Sequence, residues 1–280
     1  MRLDYVNVFM SIVGSSLAWR SAEHDLRLPE MRIDVALLPG QTPEHSRSIC
    51  IVIDVLRASS SIVTLLEGGA SPVIAAASIE NARALHERLP VYLLCGEKDG
   101  LPPEGFNYGN SPAEFSRLDF SNRGAILATS NGTRMLAAVA EAPAVLVGCL
   151  LNRAAVAEAA LRIALERDLD IAVVCSAAYG GSTFVLEDAV GAGAIIDACL
   201  RTDASAEGSD AARFAADAFV TAARDLPGAV AAAYHARELS EAGFTEGVSH
   251  CARLDVSTVA PLLTRGEDGV LTLKARLPEA

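Results

Sequence analysis

Short, unbroken apolar runs alternate along this chain with longer stretches in which apolar residues recur every three or four positions. The runs at residues 49–53, 73–76, 91–94, 125–128, 145–147 and 171–175 are too short for helices and apolar throughout, as strands buried on both faces of a sheet are. Helical spacing covers residues 60–67, 79–88, 133–140, 152–167 and 187–200. Strand, loop and helix in repeated order predict an α/β fold, a three-layer α/β/α arrangement around a mostly parallel or mixed sheet. Met31-Arg32-Ile33-Asp34-Val35 opens on a further strand pattern. Towards the C-terminus, the polar linker 202–209 precedes two Ala-rich helical stretches at 211–223 and 230–239, so residues 201–250 read as a helical segment, a lid or a subdomain. The junctions at 54–60 and 129–134 echo each other weakly, but such units occur in any α/β fold and ordinary topology explains them. Residues 6–17 are modestly apolar, yet Asp4 interrupts the positive start and no small-x-small site follows. The expectation is a dispensable extension over 1–30 and one domain over 31–280.

With 280 residues and 51% hydrophobic composition, the chain can bury a large core. A net charge of −12 and the absence of a Lys/Arg cluster argue against a nucleic-acid partner. An anionic ligand must therefore be held locally, by a few Arg residues, backbone N–H groups or a metal ion. Cys50, Cys95, Cys149, Cys175, Cys199 and Cys251 lie far apart, mostly in apolar runs, with no Cys-x-x-Cys pair. They read as reduced core residues in a cytoplasmic protein. No uninterrupted stretch has membrane-spanning length. His24, His45, His86, His235 and His250 show no metal-ligand spacing and avoid the polar loops, which disfavours histidine-based chemistry. A homo-oligomer is compatible with all of this, and the sequence does not fix the oligomeric state.

In open α/β sheets, ligands bind beyond the carboxyl ends of the strands. Asp54 follows the run 49–53, and Arg57, Ser59 and Ser60 lead into the next helix. A carboxylate, a guanidinium and hydroxyls together can hold a cation and a phosphate; equally, a serine can cap the helix while Asp54 pairs with Arg57. A long glycine-rich loop from Gly96-Glu97 ends at Ser111-Pro112-Ala113-Glu114, where Ser111 reads as a helix cap. Thr129-Ser130-Asn131-Gly132-Thr133-Arg134 offers side-chain donors, a permissive glycine and an Arg at a strand-to-helix junction, an anion cradle or an ordinary capped turn. It lacks the spacing and Lys of a nucleotide-binding P-loop. Glu187 and Asp188 begin a helix, where acids are favoured electrostatically; pointing into a cleft, one would be a hard ligand for Mg²⁺.

Taken in order, these motifs resemble the 2-phosphosulfolactate phosphatase family over residues 31–263. The carriers are Asp54-Val55-Leu56-Arg57-Ala58-Ser59-Ser60, Gly96-Glu97 with Gly105-Phe106 and Gly109-Asn110-Ser111-Pro112, Ser130-Asn131-Gly132-Thr133-Arg134 with Asn152, Leu186-Glu187-Asp188, and Cys251-Ala252-Arg253-Leu254-Asp255. The resemblance implies Mg²⁺-dependent hydrolysis of a small anionic phosphate ester, 2-phosphosulfolactate, to sulfolactate and phosphate, a step on the coenzyme M route in methanogens. It implies Asp54, Arg57, Glu97 and Asp188 as catalytic residues, with Asp54, Glu97 and Asp188 holding the metal. Ser59, Ser60, Ser130, Asn131, Gly132, Thr133 and Arg134 would bind the phosphate ester. Asn107 stands where Asp is expected, Lys98 where Arg is frequent, and Ser176-Ala177 where Ala-Gly is usual. Those departures leave open a different phosphate ester, and a non-catalytic module for an anionic metabolite is a further alternative; the acids Glu97, Glu187 and Asp188 weigh against the latter.

Overall fold

The computed structural model describes residues 31–41 and 45–276; the expected extension over 1–30 lies outside the described residues. In chain order, β1 (Met31–Ala36) and β2 (Ser48–Ile53) precede α1 (Ala58–Glu67), and β3 (Val73–Ala76) precedes α2 (Ile79–Arg88). A long loop joins β4 (Leu93–Gly96) to the single turn α3 (Pro112–Phe115). Three further strand–helix units follow: β5 (Ala125–Ala128) with α4 (Gly132–Ala138), β6 (Ala144–Gly148) with α5 (Arg153–Arg167), and β7 (Asp170–Cys175) with α6 (Leu186–Thr202). The short strand β8 (Ala206–Gly208) leads to α7 (Asp210–Ala222), α8 (Leu226–Ala231), α9 (Tyr234–Glu241) and α10 (Thr245–Cys251), and the described chain ends in the hairpin β9 (Ala260–Arg265) and β10 (Leu271–Arg276).

All the strands join one sheet in the order β4-β5-β3-β10-β9-β6-β2-β7-β1-β8. Pairing is parallel within β4-β5-β3 and within β6-β2-β7-β1-β8, and antiparallel at both flanks of the hairpin and inside it. Three antiparallel steps reverse the sense, so the two parallel blocks run in opposite directions. In a flat sheet their carboxyl ends would lie on opposite edges. Twist of about 20–25° per neighbour, over the five steps from β5 to β2, accumulates to about 100–125° and swings those ends together.

Burial follows the pleat. Ile49, Ile51 and Ile53 of β2 face a core shared with α5 and α6, while Cys50 and Val52 face a second core containing Ile62 and Leu65 of α1 and Met135 and Leu136 of α4. That second core also holds Val73, Ala75 and Leu127 of the other block, so α1 and α4 fill the concavity of the curled sheet. A third core packs Ala82 and Leu85 of α2 against Ile74 and Ile126. Helices thus cover both faces, giving the expected three-layer α/β/α fold with a mixed sheet. Among the described residues, no helix is long and apolar enough to cross a membrane.

The differences from expectation have local causes. The strand expected at 91–94 begins at Leu93, because the Tyr92 N–H bonds to the Leu89 carbonyl in a turn that leaves Val91 exposed. The linker 202–209 contains β8, and the hairpin β9–β10 was not anticipated. The helix expected at 230–239 is divided between α8 and α9 because Ala233 is extended (φ −60°, ψ 147°).

At Gly193 on α6, an added Cβ would lie 1.9 Å from the Ala215 carbonyl oxygen of α7. Gly193→Ala is therefore expected to force the two helices apart and lower stability by about 1–3 kcal/mol, read as a lower denaturant midpoint at unchanged m-value.

Candidate active site

The curl brings the loops after β2, β4, β5 and β7 to one place. Asp54 leaves the end of β2 and folds back onto α1, its Oδ1 accepting the Ala58 N–H at 3.0 Å. The Ser59 hydroxyl accepts the Asp54 N–H at 2.9 Å and donates to the Val52 carbonyl at 3.3 Å, while Ser60 donates to the Val55 carbonyl at 2.9 Å. These two buried serines, expected at the phosphate, hold the loop's own backbone instead. Thr133 is similar: its hydroxyl exchanges hydrogen bonds with Thr129, and Thr133 is buried. Ser130 donates from both its N–H (2.7 Å) and hydroxyl (3.2 Å) to Glu97, and Glu97 also accepts the Gly100 N–H at 2.9 Å. Asn131 Oδ1 accepts the Gly180 N–H at 2.9 Å, tying the loop after β5 to the loop after β7. A Cβ at Gly132 would lie 2.6 Å from Asp54 Oδ2 and 2.5 Å from the Ala58 side chain, so glycine alone lets α4 approach Asp54 this closely. Arg134 is exposed and has no carboxylate partner among the described residues.

Three acids are buried side by side in the chain's interior: Asp54 (6% exposed), Glu187 (1%) and Asp188 (3%). Asp188 bridges two loops by accepting the Val55 N–H at 2.8 Å and the Ala177 N–H at 3.2 Å. Neither oxygen of Glu187 accepts a hydrogen bond among the described residues. Burial pushes all three carboxyls upward from their ordinary range, and the neighbouring negative charges add to this: Asp54 and Glu187 act on Asp188, Asp54 on Glu187 and Glu97 on Asp54. Against burial, the Ala58 N–H and Ser176 steady the charged form of Asp54, although the Ser176 hydroxyl lies outside hydrogen-bond geometry.

Arg57 follows the cis Leu56–Arg57 peptide and is 4% exposed. Its guanidinium donates to the Gly100 carbonyl at 3.0 Å and stacks 4.4 Å from the centroid of the Phe244 ring. No carboxylate lies within ion-pair distance among the described residues, so the expected alternative of an Asp54–Arg57 pair does not form. Burial lowers the Arg57 pKa, with Glu97 and then Cys251 and Asp54 acting in the opposite sense.

The expected metal set of Asp54, Glu97 and Asp188 does not assemble. Among the described residues no group of three or more His, Cys, Asp or Glu gathers in a geometry for a metal. Glu97 is committed to Ser130 and Gly100, and Asp188 to two backbone amides. Asp54 Oδ2 and Glu187 remain as hard oxygen donors without a hydrogen bond, a number that suits Mg²⁺, which takes one or two carboxylates and otherwise water and substrate oxygens.

The sequence reading missed the cover of this site. Helix α9 brings His235 near enough to Asp54 and Glu187 to favour their charged forms. The Tyr179 hydroxyl, in the loop after β7, lies 2.7 Å from both oxygens of Glu238 on α9, and Phe244 just beyond the helix covers Arg57. Among the departures from the family pattern, Asn107 has a structural task, its Oδ1 accepting the Leu94 N–H at 2.8 Å, and Lys98 is exposed. Ala177 holds a left-handed φ of 57°, which explains why glycine suits that position. All six cysteines are free and buried; burial pushes Cys50, Cys95, Cys199 and Cys251 up to about 12 and Cys149 to about 11, which removes them as nucleophiles.

A family model described as 2-phosphosulpholactate phosphatase matches residues 36–266, a span that contains every loop of the site. The chain is 36% identical over 242 residues to a probable 2-phosphosulfolactate phosphatase of Deinococcus radiodurans, covering 85% of this chain and 95% of that protein. It is 35% identical over 234 residues to one of Thermotoga petrophila (84% and 96%) and 33% over 231 residues to one of Pseudothermotoga lettingae (82% and 95%).

Two outcomes are expected. Ala177→Gly should stabilise the fold by about 1 kcal/mol by relieving the left-handed backbone, seen as a higher denaturant midpoint. Because the raised acids hold their protons more tightly folded than unfolded, stability should fall as pH climbs from the ordinary carboxylate range. Glu187→Gln should therefore raise the urea midpoint at about pH 7 without divalent cations, and the gain should disappear below about pH 4.

Proposed function

The chain belongs to the 2-phosphosulpholactate phosphatase family, whose members are hydrolases of phosphoric monoesters, and we propose that it cleaves 2-phosphosulfolactate to sulfolactate and phosphate with Mg²⁺ as cofactor. The observation that carries this reading is a buried guanidinium, Arg57, with no carboxylate within ion-pair distance among the described residues, together with a cluster of buried carboxylates in which neither Glu187 oxygen accepts a hydrogen bond. A phosphate ester and a hard cation complement those two halves. The free buried thiols support a reducing, cytoplasmic setting.

In this reading Asp54 and Glu187 would hold Mg²⁺, which supplies a counter-charge to the phosphoryl oxygens. Arg57, pinned by the Gly100 carbonyl and Phe244, presents its remaining N–H groups to the charge that grows on those oxygens as water attacks phosphorus. Asp188 acts one step back, fixing the loops that carry Asp54 and Ser176 through its two backbone contacts. Glu97 likewise locks the loop after β4 to the loop after β5, keeping Gly100 in place under Arg57. Arg134, exposed at the rim, gives a second positive charge for the acidic remainder of the substrate.

Phosphate release from 2-phosphosulfolactate, measured with Mg²⁺ and with chelator beside phospholactate, phosphoglycerate and an aryl phosphate, tests the proposal. Mg²⁺-dependent turnover that favours the sulfonate is expected; preference for another ester would overturn the substrate, and tight binding without turnover would favour a binding module. Asp54→Asn and Arg57→Ala should each lower kcat/KM by roughly 10²–10³-fold, as loss of a positioned electrostatic group does, and full activity in Asp54→Asn would sink the assignment.

A further inference from the structure

We propose that the Ser176 hydroxyl is a third oxygen ligand of the divalent cation, beside Asp54 and Glu187. The inference rests on the Mg²⁺ reading above and adds to it a neutral ligand, at a loop position where the family pattern has alanine. The sheet fixes the placement. Strands β2 and β7 pair in parallel as far as Ile53 opposite Cys175. The Ser176 N–H donates to the Ile53 carbonyl at 2.8 Å, which carries the ladder one step on and sets Ser176 opposite Asp54. Ile53 and Cys175 face one core, and Val52 and Val174 before them face the other. By that alternation Asp54 and Ser176 both turn to the side of Val52 and Val174. Asp188 then pins the residue after each, accepting the Val55 N–H at 2.8 Å and the Ala177 N–H at 3.2 Å, so the two side chains are held next to each other.

Ser176 is 2% exposed, and its hydroxyl has no hydrogen-bond partner among the described residues. Ser59 and Ser60 are as deeply buried, but they bond to the Val52 and Val55 carbonyls. A buried hydroxyl left unpaired is a cost that alanine would remove, so its retention points to a partner that arrives from outside. Both oxygens of Glu187 are buried in the same unpaired state. The Ser176 hydroxyl is near enough to Asp54 to favour the charged carboxylate, yet it stays outside hydrogen-bond geometry. Two oxygens that come close without sharing a proton are disposed as neighbouring ligands of one cation are. Mg²⁺ demands an octahedron of hard oxygens, of which one or two are carboxylates. Asp54 and Glu187 already balance its charge, and a third carboxylate would leave the site anionic towards a phosphate ester. A hydroxyl adds an oxygen without adding charge, and the remaining positions go to water and phosphoryl oxygens.

Calorimetric titration of Mg²⁺ into the full chain reads the ligand directly. Ser176→Ala should raise the Mg²⁺ Kd by about tenfold or more, since even groups behind the ligands of a metal are worth that much. The Mg²⁺ concentration that gives half-maximal phosphate release should rise by the same factor. In chelator the variant should unfold at the same urea concentration as wild type or a higher one, because the deleted oxygen bonds to nothing. Added Mg²⁺ should then raise the wild-type midpoint by more than that of the variant. Ser176→Cys should bind Mg²⁺ no better than Ser176→Ala but should take Cd²⁺, with the ultraviolet band of a Cd–thiolate bond that wild type lacks. An unchanged Mg²⁺ Kd in Ser176→Ala would overturn the ligand assignment, and a raised KM for the ester at unchanged Kd would give the hydroxyl to the substrate instead. Wild type that binds Mg²⁺ but hydrolyses no ester would remove the phosphatase reading alone, and the comparison of Kd values would still decide on Ser176. Wild type that binds no Mg²⁺ would remove the ligand assignment whether or not it turns over the ester. If Ser176→Ala does not fold, Ser176→Cys decides, and the absence of a Cd–thiolate band would overturn the inference.

Discussion

The costliest feature of this molecule is the burial of Asp54, Glu187 and Asp188 in one place, and much of the local architecture answers to it. Desolvation alone disfavours each charge, and proximity compounds it. The three acids are compensated unequally. Asp188 accepts two backbone amides, Asp54 one, and Glu187 none. Backbone amides thus go to the carboxylate that organises the loops, without cancelling the burial that holds it well above the ordinary range, and none goes to the one whose oxygens remain free for something else. A core interior would eliminate such a residue or pair it; a site keeps it.

How these groups meet is a matter of sheet topology. A single parallel sheet would gather its loops on one edge without help, but here the hairpin β9–β10 reverses direction between two parallel blocks. Only a strongly curled sheet lets Arg57, after β2, reach the Gly100 carbonyl, after β4, and lets Gly132, after β5, press against Asp54. Packing α1 and α4 into the concavity maintains that curl, because their apolar side chains join one core with strands from both blocks. The hairpin contributes no side chain to the chemistry, and the composite site depends on it.

Much of this was legible in the sequence, for reasons that also explain the gaps. Buried parallel strands announce themselves as unbroken apolar runs, and Asp54 and Arg57 stood out because they break such a pattern at a strand's end. Hydroxyls are harder to read: Ser59, Ser60 and Thr133 sit where either a ligand or the loop's own backbone could claim them, and the backbone does. Glu187 was hidden behind a general preference for acids in the first turn of a helix. His235 could not be read from the sequence because it lies far from every motif, and only the fold brings it near enough to act electrostatically on Asp54 and Glu187. The hairpin was overlooked, not hidden: Leu271-Thr272-Leu273-Lys274 alternates with period two just after Asp268-Gly269, a strand behind a turn.

A chain with a net charge of −12 that takes an anionic ester must reverse its own field locally. At about 4 Å and an effective dielectric near 20, each unit charge pair is worth on the order of 4 kcal/mol, so phosphate facing ionised Asp54 and Glu187 would be repelled by more than Arg57 alone returns. Arg134 sits at the exposed rim, where solvent weakens its contribution. On the proposed function, a divalent cation between carboxylates and phosphate would replace the strongest repulsions with attractions and make the acid cluster a ligand set instead of an obstacle. The same acids that weaken the fold would then be the reason a small, highly charged ester is retained. On this arithmetic, affinity for the ester and affinity for the cation are two sides of one coupling free energy.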